Sequence, residues 1–141
     1  MPLNSEAIRG MTLAIIKNDQ GHILVSPGHD KIKNENFYRL LGGGIDFGET
    51  SEAALKREFL EELNAELTNC KLLGVVENIF TYDGLTGHEI CFIYSADFVD
   101  ANMYQQSEMQ IIDSKDEGKV IWLDLNKRGS DPIYPDISAW L

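Results

Sequence analysis

One fixed grid of residues constrains this chain more than anything else in it. Gly43 is followed after five residues by Glu49, and after seven more by the run Arg57-Glu58-Phe59-Leu60-Glu61-Glu62. Even in an acidic chain, a spacing this strict arises by accident in only about ten sequences per million. The positions are therefore tied to one another by structure.

The stretch from Ser51 to Asn64 consists mostly of good helix formers with no internal glycine or proline, which predicts a helix. Thr50 stands where an N-cap side chain accepts a bond from an orphan backbone N–H, and Glu52 suits the positive end of the helix dipole. Asn64 is placed to close the helix in the left-handed conformation. On such a helix Glu58, Glu61 and Glu62 stand at i, i+3 and i+4 and emerge from one face. Leu55, Phe59 and Leu63 form an adjacent apolar stripe that docks on a core, leaving the acids at its border, where a cleft forms. Like charges this close repel by a few tenths of a kcal/mol each when exposed, and by more when half-buried, unless a cation or protons intervene. Arg57 is one such cation and a divalent metal is another. Hard oxygen donors without a His or Cys cluster point to Mg²⁺ or Mn²⁺ rather than zinc. A merely solvated helix face would not require Glu49 and the glycines at fixed offsets outside the helix.

Gly42, Gly43 and Gly44 follow the short apolar stretch Phe37–Leu41 and lead towards the helix N-terminus. Three consecutive glycines let backbone approach a ligand closely, and a loop entering a helix is a natural place for phosphate oxygens. Arg39, beside this loop, is the local candidate for a phosphate clamp.

The grid resembles the signature of the Nudix hydrolases, spanning residues 43–65 here, with Asn64 where that family has glycine and Leu41 where it usually has proline. The resemblance implies the Nudix fold, a mixed β-sheet between α-helices, and hydrolysis of a diphosphate joined to another group. Order of elements and motif match over about Arg9 to Leu125. Carried across by position, Glu58, Glu61 and Glu62 would hold the divalent metal, with the Gly43 carbonyl a further ligand, and Glu49 and Arg57 would orient them. Glu58 is the favoured proton acceptor for the attacking water. Some relatives add an acid from a loop before a late strand, the place held here by Asp116 or Glu117. A metal on these acids would grip the diphosphate and activate water for in-line attack. The alternative is a Nudix-like domain that senses a nucleotide without cleaving it. Such domains commonly lose signature acids, and this chain keeps the full set.

At 141 residues and 43% hydrophobic composition the chain has the size of one domain, taken as residues 1–141. A net charge of -11 argues against partners such as nucleic-acid polymers or anionic membranes, while a small anionic nucleotide or other diphosphate carrying metal stays compatible. A homodimer is common in the family. Cys70 and Cys91 lack CxxC spacing and read as reduced thiols in strands. With no apolar run long enough to span a bilayer and no signal peptide, the expected location is cytoplasmic.

Strand patterns run from about Ile8 to Ile16 and from His22 to Val25, reading as a hairpin. Pro27 and Gly28 break the polar stretch Ser26–Asn36. Two long strands, Leu72–Tyr82 and His88–Phe98, flank a turn at Asp83–Gly87, and Lys119–Leu125 is a further strand. Pro135 opens a short final helix. Several strands with a central helix predict an α/β or α+β layered fold. Tyr38, Phe47, Phe80, Tyr82 and Trp122 offer rings for a base, although strand aromatics more often belong to a core.

Overall fold

The structure, a computed structural model, describes residues 6–112 and 118–141. Strand β1 (Ile8–Ile15) sends Leu13 and Ile15 into one hydrophobic layer and Ala14 into the other, as the two-residue strand period requires. β2 (Ile23–Asp30) and β3 (Glu35–Gly44) do the same, with Leu24 and Leu41 on one side and Ile23, Val25 and Leu40 on the other. After helix α1 (Ser51–Leu63) come the long β4 (Leu67–Tyr82) and β5 (Leu85–Phe98), then β6 (Glu108–Gln110), β7 (Lys119–Leu123) and β8 (Ile133–Tyr134). They form one mixed sheet in the order β4-β5-β1-β3-β2-β7-β6, with β8 added beside β3. β1 runs parallel to β5 and β8 parallel to β3, while the other pairs are antiparallel.

The helix is built as its sequence predicts. Thr50 accepts the Ala53 N–H, and Asn64 takes the left-handed conformation at φ 50° while its N–H bonds the Leu60 and Phe59 carbonyls. Leu55, Phe59 and Leu63 are buried against one layer of the sheet, where Phe59 meets Phe98 edge-on at 6.1 Å. Phe59→Ala is expected to remove about 3–5 kcal/mol of stability, read from urea melts. The opposite layer is closed by Ile133 and Ile137 of the C-terminal segment. The expected final helix is only a 3-10 turn at Ser138–Trp140. Among the described residues no helix is long and apolar enough to cross a membrane. Cys70 and Cys91 are free thiols in β4 and β5, and burial pushes the Cys91 thiol up to about 12.

Two strand expectations are corrected. β1 and β2 meet only at a bridge between Lys17 and Ile23 and the Leu24 N–H to Ile16 carbonyl bond, because β3 inserts between them. β2 also runs through Pro27 and Gly28 to Asp30 instead of breaking. Pro27 faces Tyr38, whose N–H donates to the Pro132 carbonyl on the far side of β3, so this is a pair without mutual hydrogen bonds. The proline nitrogen therefore points away from β3, on the side where pairing with β7 has ended at Val25, and no ladder bond is lost. Gly28 leaves room for the Phe37 ring, which an added Cβ would meet at 2.5 Å.

The β4–β5 turn is tighter than expected, with Asp83 and Gly84 both at positive φ, 50° and 80°, as a two-residue hairpin needs. Its tip is fastened to the tip of the β2–β3 hairpin. Asp30, 1% exposed, accepts N–H bonds from Ile32, Lys33 and Asp83, and Asp83 in turn accepts the Lys31 N–H. The Lys33 N–H bond is the largest cause holding the Asp30 carboxyl below the ordinary value of 3.8, aided by the Asp83 and Ile32 N–H groups against the opposing effect of burial. A depressed folded-state pKa means stability present above about 3.8 and lost as pH falls through the lower folded value. Asp30→Asn turns an amide N–H towards a backbone donor. It is expected to lower the melting temperature at neutral pH, and the gap to the parent chain should narrow below pH 3.8.

Candidate active site

The glycine loop and α1 meet face to face. On β3, Arg39, Leu41 and Gly43 alternate onto the layer that α1 covers. Gly43 is tight against Glu58: a Cβ there would lie 2.3 Å from the Glu58 carboxyl carbon and 2.4 and 2.6 Å from its oxygens. At Gly42, φ is +147° and a Cβ would come within 1.9 Å of the Thr12 carbonyl oxygen. The first glycine serves the backbone path and the second serves the approach of the carboxylate.

Arg57 organises the acids. Its Nε and Nη2 each donate to one oxygen of Glu49, at 2.8 and 2.9 Å, a two-pronged pairing. Nη2 also donates to the Gly44 carbonyl at 2.9 Å, and Nη1 donates to Glu58 at 3.0 Å and Glu61 at 3.2 Å. Asp46 stands 3.5 Å from the same guanidinium, and its N–H donates to Glu49. One cation thus ties the loop to the helix. Glu49 raises the Arg57 pKa most, and Arg57 in turn is the largest cause holding the Glu49 carboxyl below its ordinary range.

Burial pushes the Glu58 carboxyl above the ordinary glutamate value, and the charge of Glu61 adds to this. The Arg57 hydrogen bond and charge, and a hydrogen bond with Glu62, pull it back. Among the described residues no three acidic, His or Cys side chains converge tightly enough to hold a metal ion. Glu58, Glu61 and Glu62 do share a helix face, but Nη1 of Arg57 bridges Glu58 and Glu61 because like charges separate unless something positive lies between them.

The sequence-predicted residues divide as follows. Gly43, Gly44, Glu49, Arg57, Glu58 and Glu61 form one contact network. Glu62 joins it through Glu58, and its backbone carbonyl accepts the Ile112 N–H at 2.7 Å, which pins the chain just after β6 to the last helical turn. Arg39 is exposed on β3, four residues before Gly43, and stands apart from the network. Asp116 and Glu117 lie outside the described residues. Of the aromatics, Trp122 stacks on Tyr104 at 5.6 Å against the core, as strand aromatics are expected to, and Tyr82 meets the Phe37 ring edge-on, whereas Phe47 is fully exposed.

Sequence reading missed Asp46 and the ties at the helix start. Asp46 and Glu49 bond reciprocally, the Asp46 N–H to the Glu49 carboxylate and the Glu49 N–H to the Asp46 carbonyl, so the Asp-x-x-Glu spacing was the available signal. Buried Thr12 donates to the Ser51 carbonyl at 2.8 Å, and the Ser51 and Tyr94 hydroxyls pair at 2.6 Å. No local pattern marks those contacts. Two cavities, of about 340 Å³ beside Trp140 and about 380 Å³ beside Gly84–His88, are not lined by any of the acids. The charged groups of the network gather away from both cavities.

Comparison with known proteins gives the family. A family model described as the NUDIX domain matches residues 8–140. The MutT NUDIX hydrolase from Burkholderia pseudomallei is 32% identical, with 67% of this chain aligned to 71% of that one at a TM-score of 0.54. Two more distant structures share the fold. The MutT protein from Methanosarcina mazei Go1 is 19% identical, aligned over 87% of this chain and 81% of its own, at a TM-score of 0.57. A NUDIX hydrolase from Nitrosomonas europaea, also 19% identical, aligns over 85% of this chain and 74% of its own at 0.55. With nearly the whole chain matched and the charged network in place, the protein belongs to the Nudix family and is a Nudix hydrolase.

Proposed function

We propose that the protein hydrolyses, with Mg²⁺ or Mn²⁺, a diphosphate bond in a nucleoside diphosphate linked to another moiety, such as a nucleotide sugar, a nucleoside triphosphate or a related compound. The observation that carries this reading is the Arg57 network, which fixes Glu49 and Glu58 against the glycine loop.

The donor set fits a hard divalent cation: Glu58, Glu61 and Glu62 offer carboxylate oxygens from one helix face, and glycine at position 43 lets a loop carbonyl come close to them. When bound, such an ion supplies charge neutralisation for the diphosphate and lowers the pKa of water. The protein's own groups do the rest. Arg57 holds Glu49 and Glu58 against the glycine loop, while Glu61 and Glu62 would have to close on Glu58 to hold the ion. Glu58, pressed against Gly43, accepts the proton of the attacking water as its oxygen bonds to phosphorus and the bridging P–O bond breaks. The bridging oxygen leaves with its electron pair on the departing phosphate. Gly42–Gly44 present backbone rather than side chains to phosphate oxygens, and Arg39 is an exposed cation on the same strand face for the far end of the substrate.

A panel of nucleotide sugars, nucleoside triphosphates and dinucleoside polyphosphates, incubated with Mg²⁺ and read by product identity, tests this reading. Release of a mononucleotide or phosphate from at least one class is the expected result. Binding of nucleotides with no product from any member would sink the hydrolytic reading in favour of a sensing domain.

A further inference from the structure

A second set of charged groups lies on the sheet face turned away from α1, and the hydrolytic chemistry makes no use of it. Arg9 on β1 and Glu89 on β5 are direct partners in the parallel pair, and Asn78 on β4 stands opposite Glu89. Guanidinium, carboxylate and amide therefore form one row across three strands, on the same face as Met11 and Cys91. Arg9 donates to Glu89 Oε2, and the two side chains are only 12% and 11% exposed. A buried ion pair adds little stability over an apolar pair of the same size, so its presence calls for another reason.

The row is also incompletely bonded. Among the described residues the one donor to Glu89 Oε1 is the Cys91 thiol at 4.0 Å, a weak donor at long range. Among the same residues the half-buried Asn78 side-chain amide has no hydrogen-bond partner. Polar groups left in this state fit a ligand that supplies the missing partners.

The neighbouring row, Val76, Cys91, Met11 and Gly44, ends at the glycine loop. β2 pairs with β3 only as far as Leu40, which leaves the outer edge of Gly42–Gly44 without a strand partner among the described residues. Because the Ile45 N–H donates to the Gly10 carbonyl, Gly44 turns its own carbonyl outward over this edge, where it accepts the Arg57 bond. Glu58 meets Gly43 on one face of the edge, and the polar row lies on the other. Strands about 4.8 Å apart, rising about 3.3 Å per residue, put Arg9 and Glu89 roughly 8 to 12 Å from Gly44. That is the reach of a nucleoside whose phosphates lie at the edge.

We propose that the substrate straddles the glycine edge, with its diphosphate beside the acids of α1 and a guanine base on the far face, read by Glu89, Arg9 and Asn78. The place of the diphosphate rests on the hydrolytic reading above, and the place of the base rests on the row. Guanine presents N1–H and N2–H beside O6, so it gives donors to the acceptor-only carboxylate and takes a neighbouring N–H of the row at O6. Adenine would turn its N1 lone pair towards Glu89, and cytosine its N3 lone pair. Uracil has one N–H between two carbonyls. Arg9 orients Glu89 through Oε2 and leaves Oε1 for the base. Phe80, on the same face one row nearer the hairpin tip, packs on Gly87, where an added Cβ would meet the ring at 2.3 Å, and gives the base an apolar wall.

Titration calorimetry of GMP, IMP and AMP against the full chain in Mg²⁺ tests the proposal. GMP is expected to bind at least about tenfold more tightly than AMP, with IMP, which lacks the N2 amine, between them. Glu89→Gln and Asn78→Ala should each narrow the gap between GMP and AMP by about threefold or more. Circular dichroism checks the fold, and Asn78→Ala carries the test if Glu89→Gln does not fold. Equal affinity for GMP and AMP, or a gap unchanged in the folded variants, overturns the proposal. Matched GDP- and ADP-linked sugars separate the two readings. Guanine preference in binding with no turnover removes hydrolysis and keeps base recognition, whereas equal turnover of both sugars keeps hydrolysis and removes base recognition.

Discussion

Gly43→Ala is expected to lose turnover by about a hundredfold or more while the melting curve moves little. The added methyl lands 2.3 Å from the Glu58 carboxyl carbon, but that group is the end of a flexible side chain and rotates away. Backbone conformation at Gly43 is ordinary, since its φ is outside the positive range. The change therefore displaces a carboxylate by an ångström or more, and misplacement on that scale at a reacting centre is worth about 10²-fold in rate. Gly42→Ala, one residue earlier, should do the opposite kind of damage. Its methyl would sit 1.9 Å from the Thr12 carbonyl oxygen at φ +147°, and neither the β1 backbone nor the torsion can yield cheaply. A loss of several kcal/mol is expected, at the upper end for single substitutions. Urea melts and initial rates on the two purified variants separate the effects. Equal stability and equal activity in both would contradict the assigned contact between loop and helix.

The second large effect is expected at the helix acids. Glu58→Gln and Glu62→Gln should each abolish most turnover, by about 10²- to 10⁴-fold for a lost proton acceptor and less for a lost ligand. Both should leave the fold intact. Neutralising Glu58 also removes a carboxylate that burial penalises and Glu61 repels, which offsets the loss of its bond from Arg57. Either variant retaining more than about a tenth of normal activity in saturating Mg²⁺ would count against the role given to that residue.

How legible the molecule was in its sequence depends on the range of the interactions involved. The helix, its Thr50 cap and its Asn64 stop are decided within a few residues, so reading them needed no knowledge of the rest. The Asp83-Gly84 turn is similarly local, and the strand pattern around it only needed lengthening through Leu85–Gly87. Errors arose where a distant segment decided the outcome. β1 and β2 look like a hairpin because they flank a turn, yet β3, which begins about twenty residues beyond the end of β1, comes between them. Pro27 reads as a break because proline lacks a donor, and only the partner of Tyr38 reveals that no donor was needed there. At the site, the grid identified Arg57 and the acids. It could not show that the guanidinium lies among them, since that follows from side-chain geometry rather than spacing.

The position of β3 has a mechanical consequence. Its C-terminal half, Leu41–Gly44, pairs with β1, whereas its N-terminal half adjoins β8, and β2 flanks it from Glu35 to Leu40. This strand is therefore a splice between two halves of the sheet, and the glycine loop is its free end. Any tug on that loop from a ligand is shared by both halves at once, so neither can swing as a separate jaw, and what motion substrate requires must come from side chains and the connecting segments around a stiff spine.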